Sequence, residues 1–170
     1  MKRIIKSVLI IALIVLIITF AWNGIRKTFF PELEAERLIH KYYEAIIDGK
    51  FDKAYSYLYI YDREHIDEVG SISAGTSLTE EQAKQFYQEK IAYLKQHDYR
   101  VKDYRISEVE YADGHSFWHH LEIEVELCGE TQVVKEIVHF QNGGLMISEQ
   151  GDPFAKYRDG RMKIKIGEGE

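Results

Sequence analysis

Residues 117–150 read FWHHLEIEVELCGETQVVKEIVHFQNGGLMISEQ, and this stretch decides the fold class. Apolar and polar residues alternate along most of it, which is typical of strands with one buried and one solvated face. Cys128-Gly129 and Asn142-Gly143 interrupt the alternation and indicate two-residue hairpin turns. The stretch therefore predicts antiparallel strands over residues 115–127, 130–140 and 144–150.

A fourth strand is predicted upstream, over residues 99–111, because the period changes to two at Tyr99 and Asp113-Gly114 is a further hairpin signal. Tight turns fix which residues lie opposite each other. The turns together predict one largely apolar face, formed by Tyr104, Ile106, Phe117, Leu121, Ile123, Val125, Val134, Val138, Phe140, Leu145 and Ile147. Because a sheet with one apolar face must bury it, we expect helices to cover this side.

Four ionisable residues fall on the same apolar face, where Glu108 is predicted opposite His119 and Glu136 opposite Glu149. Ionisable groups in an apolar cleft have shifted pKa values, which is typical of active and binding sites. With Tyr104 they are the candidate ligand-pocket residues. Glu108 and His119 are also the candidates for general acid–base chemistry, although no catalytic residue is assigned.

Three structural alternatives stay open for these residues. In the first, His119 is a core histidine held by Glu108. In the second, Glu136 and Glu149 lie at the solvated rim of the sheet. A one-residue bulge in the first strand, whose apolar positions change phase between Val101 and Tyr104, is the third alternative, since it would move some of the groups to the other face.

Helices are predicted before the sheet. Apolar residues recur at helical spacing over residues 38–46, Pro31 suits a first helical turn, and Gly49 is placed to end the helix. A second, shorter helix is predicted to begin at Phe51. Helices followed by an antiparallel meander indicate an α+β domain.

A third helix is predicted after residues 62–78, which are expected to be a loop. Thr79 and Gln82 have the spacing of a capping box and begin this helix. At the other end of the chain, the RMKIKI sequence of residues 161–166 alternates basic and apolar residues. It predicts a fifth edge strand, protected by its lysines, and residues 156–170 are otherwise expected to be a C-terminal tail.

Residues 35–58, AERLIHKYYEAIIDGKFDKAYSYL, resemble the opening of the nuclear transport factor 2-like superfamily. In such domains a long first helix ends in a D-G-x-F/Y-x-x-A turn that starts the second helix, and here that turn is residues 48–54. The resemblance extends over residues 28–155 and implies a cone-shaped domain whose curved sheet surrounds a pocket. Some members are isomerases or dehydratases, and others are small membrane-anchored bacterial domains. No catalytic motif of the family is present.

The N-terminal residues 1–27 predict a membrane anchor. Residues 8–20, VLIIALIVLIITF, carry no charge, and the wider segment 7–25 has roughly the ~20 residues that a transmembrane helix needs. Basic residues before the segment favour a cytoplasmic N-terminus and an extracytoplasmic domain at the cell membrane. A cleaved signal peptide is the alternative, with Thr19-Phe20-Ala21 as the cleavage site.

Composition limits the partners and cofactors. The chain has 22 basic and 28 acidic residues, and residues 1–27 hold five of the bases and no acid, so the rest is strongly acidic and predicts no nucleic-acid partner. Cys128 is the single cysteine and excludes an internal disulfide. No metal site and no cofactor are predicted. The predicted partners are the lipid bilayer, through residues 7–25, and an envelope protein or a second copy of the chain.

These observations predict a single-pass, membrane-anchored extracytoplasmic module that binds a ligand or assembles with proteins at the membrane surface, without catalysis. One alternative is a small-molecule lyase or isomerase that uses Glu108 and His119, by analogy with the enzymes of the superfamily. Another is a secreted ligand-binding protein, released by cleavage after Ala21.

Overall fold

The computed structural model describes residues 31–112 and 116–167, without the side chains of residues 149 and 150. The helices of this part are α1 (Pro31–Ile47), α2 (Phe51–Tyr55), α3 (Arg63–Val69) and α4 (Glu80–Gln96). The strands are β1 (Arg100–Tyr111), β2 (Phe117–Leu127), β3 (Glu130–Gln141) and β4 (Gly144–Gln150). Short 3-10 helices span Ile72–Ala74 and Ala155–Tyr157. Residues 35–170 form a compact unit that contains the sheet and the site.

The four strands form one antiparallel sheet in chain order, which confirms the predicted meander. The predicted registers of the last two hairpins are also confirmed, with Leu121 opposite Glu136 and Glu136 opposite Glu149. Cys128 and Asn142 have φ values of 51° and 49°, and the glycine after each also has positive φ. Two successive positive φ values are those of the type I′ turn, whose twist matches the strands that it joins.

The register between β1 and β2 departs from the prediction. Ile106 lies opposite Leu121 as expected, but the register shifts between Ile106 and Glu108, so that Glu108 pairs with His120 and Val109 with His119. Such a bulge moves every later residue of the strand to the other face. The predicted pairing of Glu108 with His119 is therefore wrong, because Glu108 is exposed on the outer face and His119 is buried on the inner one.

The core lies between the inner face of the sheet and helices α1 and α4. The sheet contributes residues of the predicted apolar face, including Leu121, Ile123, Val125, Val138, Leu145 and Ile147, all buried. The capping box that begins α4 is confirmed, since Thr79 Oγ1 accepts from the Gln82 amide and Gln82 Oε1 accepts from the Thr79 amide. The helices predicted at residues 31–49, from Phe51 and after Thr79 are all present.

The predicted fold class needs two corrections. No helix in the described part of the chain is long and apolar enough to cross a membrane, so this part is α+β, and the transmembrane helix that the predicted fold class included is corrected accordingly. The segment 7–25 and the cleavage site after Ala21 lie outside the described residues. The fifth strand is also wrong, because residues 161–166 contribute only an isolated bridge between Arg161 and Tyr61.

The loop predicted over residues 62–78 is wrong as well, since it contains α3 and a 3-10 helix. No residue of α3 is buried, so the helix has no apolar stripe to reveal it in the sequence. Asp62 organises the segment. Its carboxylate accepts from the amides of His65 at 2.7 Å and Ser77 at 3.0 Å, and from the Thr76 hydroxyl at 2.8 Å.

These contacts make the stability of the domain depend on pH through Asp62. Burial by itself would raise the Asp62 pKa, but the hydrogen bonds from His65, Ser77 and Thr76, with the charge of Lys163, lower that pKa to about 2. In the unfolded chain the pKa is about 3.9, so the ionised carboxylate stabilises the fold by about 2 kcal/mol above pH ~4, and this contribution is lost as the pH falls toward ~2.

We expect Asp62→Asn to lower the free energy of unfolding by about 2 kcal/mol at neutral pH. The difference from the wild type should nearly vanish at pH values close to the folded-state pKa of about 2. Urea unfolding at a series of pH values measures the difference directly. A deficit that stays the same across the series would contradict this account of Asp62.

Candidate functional site

The C-terminal residues 151–162 bring charge into the core. Arg158 and Glu136 are 0% exposed, and Asp152 is 1% exposed. Arg158 Nη1 donates to Glu136 Oε2 at 3.2 Å, and Nη2 donates to Glu136 Oε1 and to Asp152 Oδ2, the latter at 3.4 Å. With Tyr43 and Tyr99 these residues form what we call the Arg158 cluster.

The two tyrosines of the Arg158 cluster serve as hydrogen-bond donors to its carboxylates. The Tyr43 hydroxyl donates to Glu136 Oε2, and the Tyr99 hydroxyl donates to Asp152 Oδ2 at 2.6 Å while accepting from Arg158 Nε at 3.0 Å. Burial raises the pKa of both tyrosines well above its ordinary value, so both hydroxyls keep their protons. Burial by itself would lower the pKa of Arg158. The neighbouring Glu136 carboxylate helps to raise that pKa well above its ordinary value, so the guanidinium stays charged.

A second buried ion pair holds the same C-terminal segment. Lys90 on α4 is 0% exposed, and its Nζ atom lies 3.0 Å from Asp159 Oδ1. The same ammonium donates to the carbonyl oxygens of Asp159 at 2.9 Å and Arg161 at 2.7 Å. Residues 158 and 159 are therefore each held by a charged partner, one on the sheet and one on α4.

A pocket of about 520 Å³ opens where the C-terminal ends of α1 and α4 meet the start of β1. Its volume lies in the range of about 300–1,000 Å³ that is usual for small-molecule sites. Tyr99 and Arg158 belong to both the pocket lining and the Arg158 cluster, so the buried cluster forms part of the pocket floor. The apolar lining residues are Ile46, Ile47, Phe51, Leu94 and Val101.

Charged side chains surround this apolar lining. Lys95 and Arg100 are exposed, and among the described residues neither is ion-paired with a carboxylate, while Lys95 lies over the Phe51 ring. Lys102 is already paired with Glu126, at 3.3 Å, and Asp98 is the one carboxylate in the lining. Carbonyls at both helix ends accept hydrogen bonds from the residues that follow, which limits their effect on a ligand. Lys95 and Arg100 are therefore the cations available to a bound anion.

The pocket lining contains none of the five residues that the sequence suggested. Tyr104 stacks on Tyr43, and its hydroxyl is 2.7 Å from His40 Nδ1. On the inner face of the sheet, His119 Nε2 is 3.9 Å from Glu36 Oε1 on α1.

None of the remaining candidates lines the pocket itself. Glu136 belongs to the Arg158 cluster and is not at the solvated rim. Glu108 faces outward. The side chain of Glu149 is outside the described part. The structure therefore brings only Glu136 into a charged cluster, and its partners are residues that the sequence did not suggest.

Sequence reasoning missed Arg158, Asp152, Lys90 and Asp159. One signal was available, because a glutamate in the middle of an apolar sheet face requires a cation close by. Residues 151–162, GDPFAKYRDGRM, place charges among apolar side chains and are the natural place to look for that cation.

The sequence matches no known protein family, and no curated protein resembles it to a significant degree. Within the part of the chain that the structure describes, no group of three His, Cys, Asp or Glu side chains is placed to hold a metal ion. The inference of function therefore begins with the pocket.

Proposed function

We propose that the domain is a binding module for a small carboxylate with an apolar body, held in the pocket between α1, α4 and β1. The observation that carries the proposal is a pair of cations without a carboxylate partner in the described part of the chain, Lys95 and Arg100, beside the apolar part of the pocket lining. A carboxylate there accepts charge-assisted hydrogen bonds, which are about twice as strong as neutral ones. The apolar body gains about 0.8 kcal/mol for each methylene that it removes from water.

The geometry favours binding over the alternative of a lyase or isomerase. That alternative depends on Glu108 and His119, and the bulge in β1 puts their side chains on opposite faces of the sheet. The pocket contains neither residue.

The resemblance to the nuclear transport factor 2-like superfamily stays part of the proposal. It is supported by the turn at residues 48–54, which joins α1 to α2, and by the meander that follows the helices. Glu136 of the Arg158 cluster lies opposite Leu121 on the inner face of the sheet, and the pocket that we propose lies at the ends of α1 and α4. The predicted partners, an envelope protein or a second copy of the chain, stay predictions.

Octanoate is a suitable probe because it has one carboxylate and a flexible apolar chain. We expect it to bind the full chain, and we expect Lys95→Glu and Arg100→Glu each to weaken its Kd about tenfold or more, since a hydrogen bond to a charged group contributes about 1.5–3 kcal/mol. Isothermal titration calorimetry measures these changes.

Two controls separate a specific anchor from a general effect of charge. Lys135→Glu makes the same change of net charge on the exposed outer face of the sheet, and it should leave the Kd of octanoate unaltered. Octanol has the same chain without the carboxylate, so its binding should not respond to either pocket variant. A wild type that does not bind octanoate, or an equal loss in Lys135→Glu, would disprove the proposal.

A further inference from the structure

A second depression, of about 550 Å³, adjoins the pocket along α4. Both cavities are lined by Gly49, Phe51 and Lys95. The second cavity adds apolar surface of its own from Tyr87, Ile91 and Ala92. Because the shared residues border both spaces, they form the partition between them.

The partition is a contact between two side chains. Lys95 Nζ lies 4.8 Å from the centre of the Phe51 ring, within the range of a cation–π interaction. Phe51 is the first residue of α2 and is only half-buried. A cation–π contact at an exposed site contributes only about 0.5–1 kcal/mol, so it holds the ring in place without locking it.

We infer that Phe51 sets the length of the chain that the pocket accepts, an inference that rests on the proposed function. Arg100 lines only the first cavity, so a carboxylate bound to Arg100 starts there. A longer chain reaches Ile91 and Ala92 in the second cavity only by passing Phe51. Removal of the ring joins the two cavities into one groove, while Lys95, which borders both, stays beside the ligand.

The test measures Kd against chain length, with straight-chain carboxylates from hexanoate to tetradecanoate and the full chain. In the wild type we expect affinity to rise with length and to stop rising once the first cavity is full. In Phe51→Ala we expect the rise to continue to longer chains, with about a fourfold lower Kd for each additional methylene.

Ile47→Ala is the matched control, because Ile47 lines the first cavity and not the second. It should weaken every carboxylate without changing the length at which affinity stops rising. Phe51→Leu is a second variant that keeps an apolar side chain at the start of α2, and it should move the limit by fewer methylenes than alanine does.

The outcomes distinguish the inference from the proposed function. If no carboxylate binds any of the proteins, the proposed function fails. If carboxylates bind but the length limit is the same in the wild type, Phe51→Leu and Phe51→Ala, the role of Phe51 is overturned and the binding module stands. A limit that moves with the size of residue 51 supports both.

Discussion

Arg158→Leu is expected to lower the free energy of unfolding by about 3–5 kcal/mol, because it leaves two buried carboxylates without their cation. Glu136 and Asp152 are at most 1% exposed, so neither gains solvation in the folded variant. The tyrosine hydroxyls still donate to them, but a neutral donor does not replace a guanidinium. Urea unfolding, followed by circular dichroism, measures the loss.

Arg105→Leu is the matched control for this substitution. Arg105 pairs with Glu122 on the outer face of the sheet, where its side chain is 72% exposed. Exposed ion pairs contribute about 0–1 kcal/mol, so the control should stay close to the wild type. An equal loss in the two variants would show that burial of the charges is not the cause.

The double variant Arg158→Leu/Glu136→Leu tests the same explanation by removing both partners of the buried ion pair. Replacement of a buried ion pair by apolar residues is often neutral or stabilising, whereas removal of one partner is costly. We therefore expect the double variant to recover a substantial part of the stability lost by Arg158→Leu. A double variant that is less stable than Arg158→Leu would contradict the stranded-charge argument.

Local sequence predicted the sheet well because its turns carry the necessary information. Cys128-Gly129 and Asn142-Gly143 adopt positive φ at both positions, and such turns set the register of the strands on either side. The bulge after Ile106 is different, since no glycine or proline marks residues 106–108. Its position depends on how β1 packs against the rest of the domain, and the alternation of apolar and polar residues around it does not predict that packing.

The site was less predictable than the sheet because its parts come from distant segments. Glu136 was placed on the inner face by alternation alone, yet its partner Arg158 is 22 residues further along the chain, after the last strand. The pocket is formed where the ends of α1 and α4 meet β1. No spacing of residues along the sequence predicts that these three segments meet. In the sequence, Lys95 and Arg100 resemble ordinary surface cations.

Lys90→Met is the second substitution for which we expect a large effect, a loss of about 3 kcal/mol in the free energy of unfolding. Methionine has a similar length and helix propensity, so α4 itself is not weakened. Asp159 loses its buried cation but keeps the Arg161 amide at 2.9 Å and Arg161 Nη2 at 3.1 Å, which places the loss at the lower end of the range.

Lys84→Met is the control for Lys90→Met, because Lys84 lies on the same helix in an exposed pair with Asp52 at 3.7 Å. Its effect should be about 0.5 kcal/mol or less. A loss in Lys84→Met that equals the loss in Lys90→Met would assign the effect to the helix and not to the buried pair.

Lys90 and Arg158 hold the same segment, so their effects should not add. Arg158 fixes it to the sheet through Glu136, and Lys90 fixes the next residue to α4. Once either contact is lost and the segment detaches, the other contact is lost with it. The double variant Arg158→Leu/Lys90→Met should therefore lose less stability than the two single losses summed, by about 1 kcal/mol or more. Full additivity would mean that the two ion pairs stabilise the core independently, and that the C-terminal segment does not move as one unit.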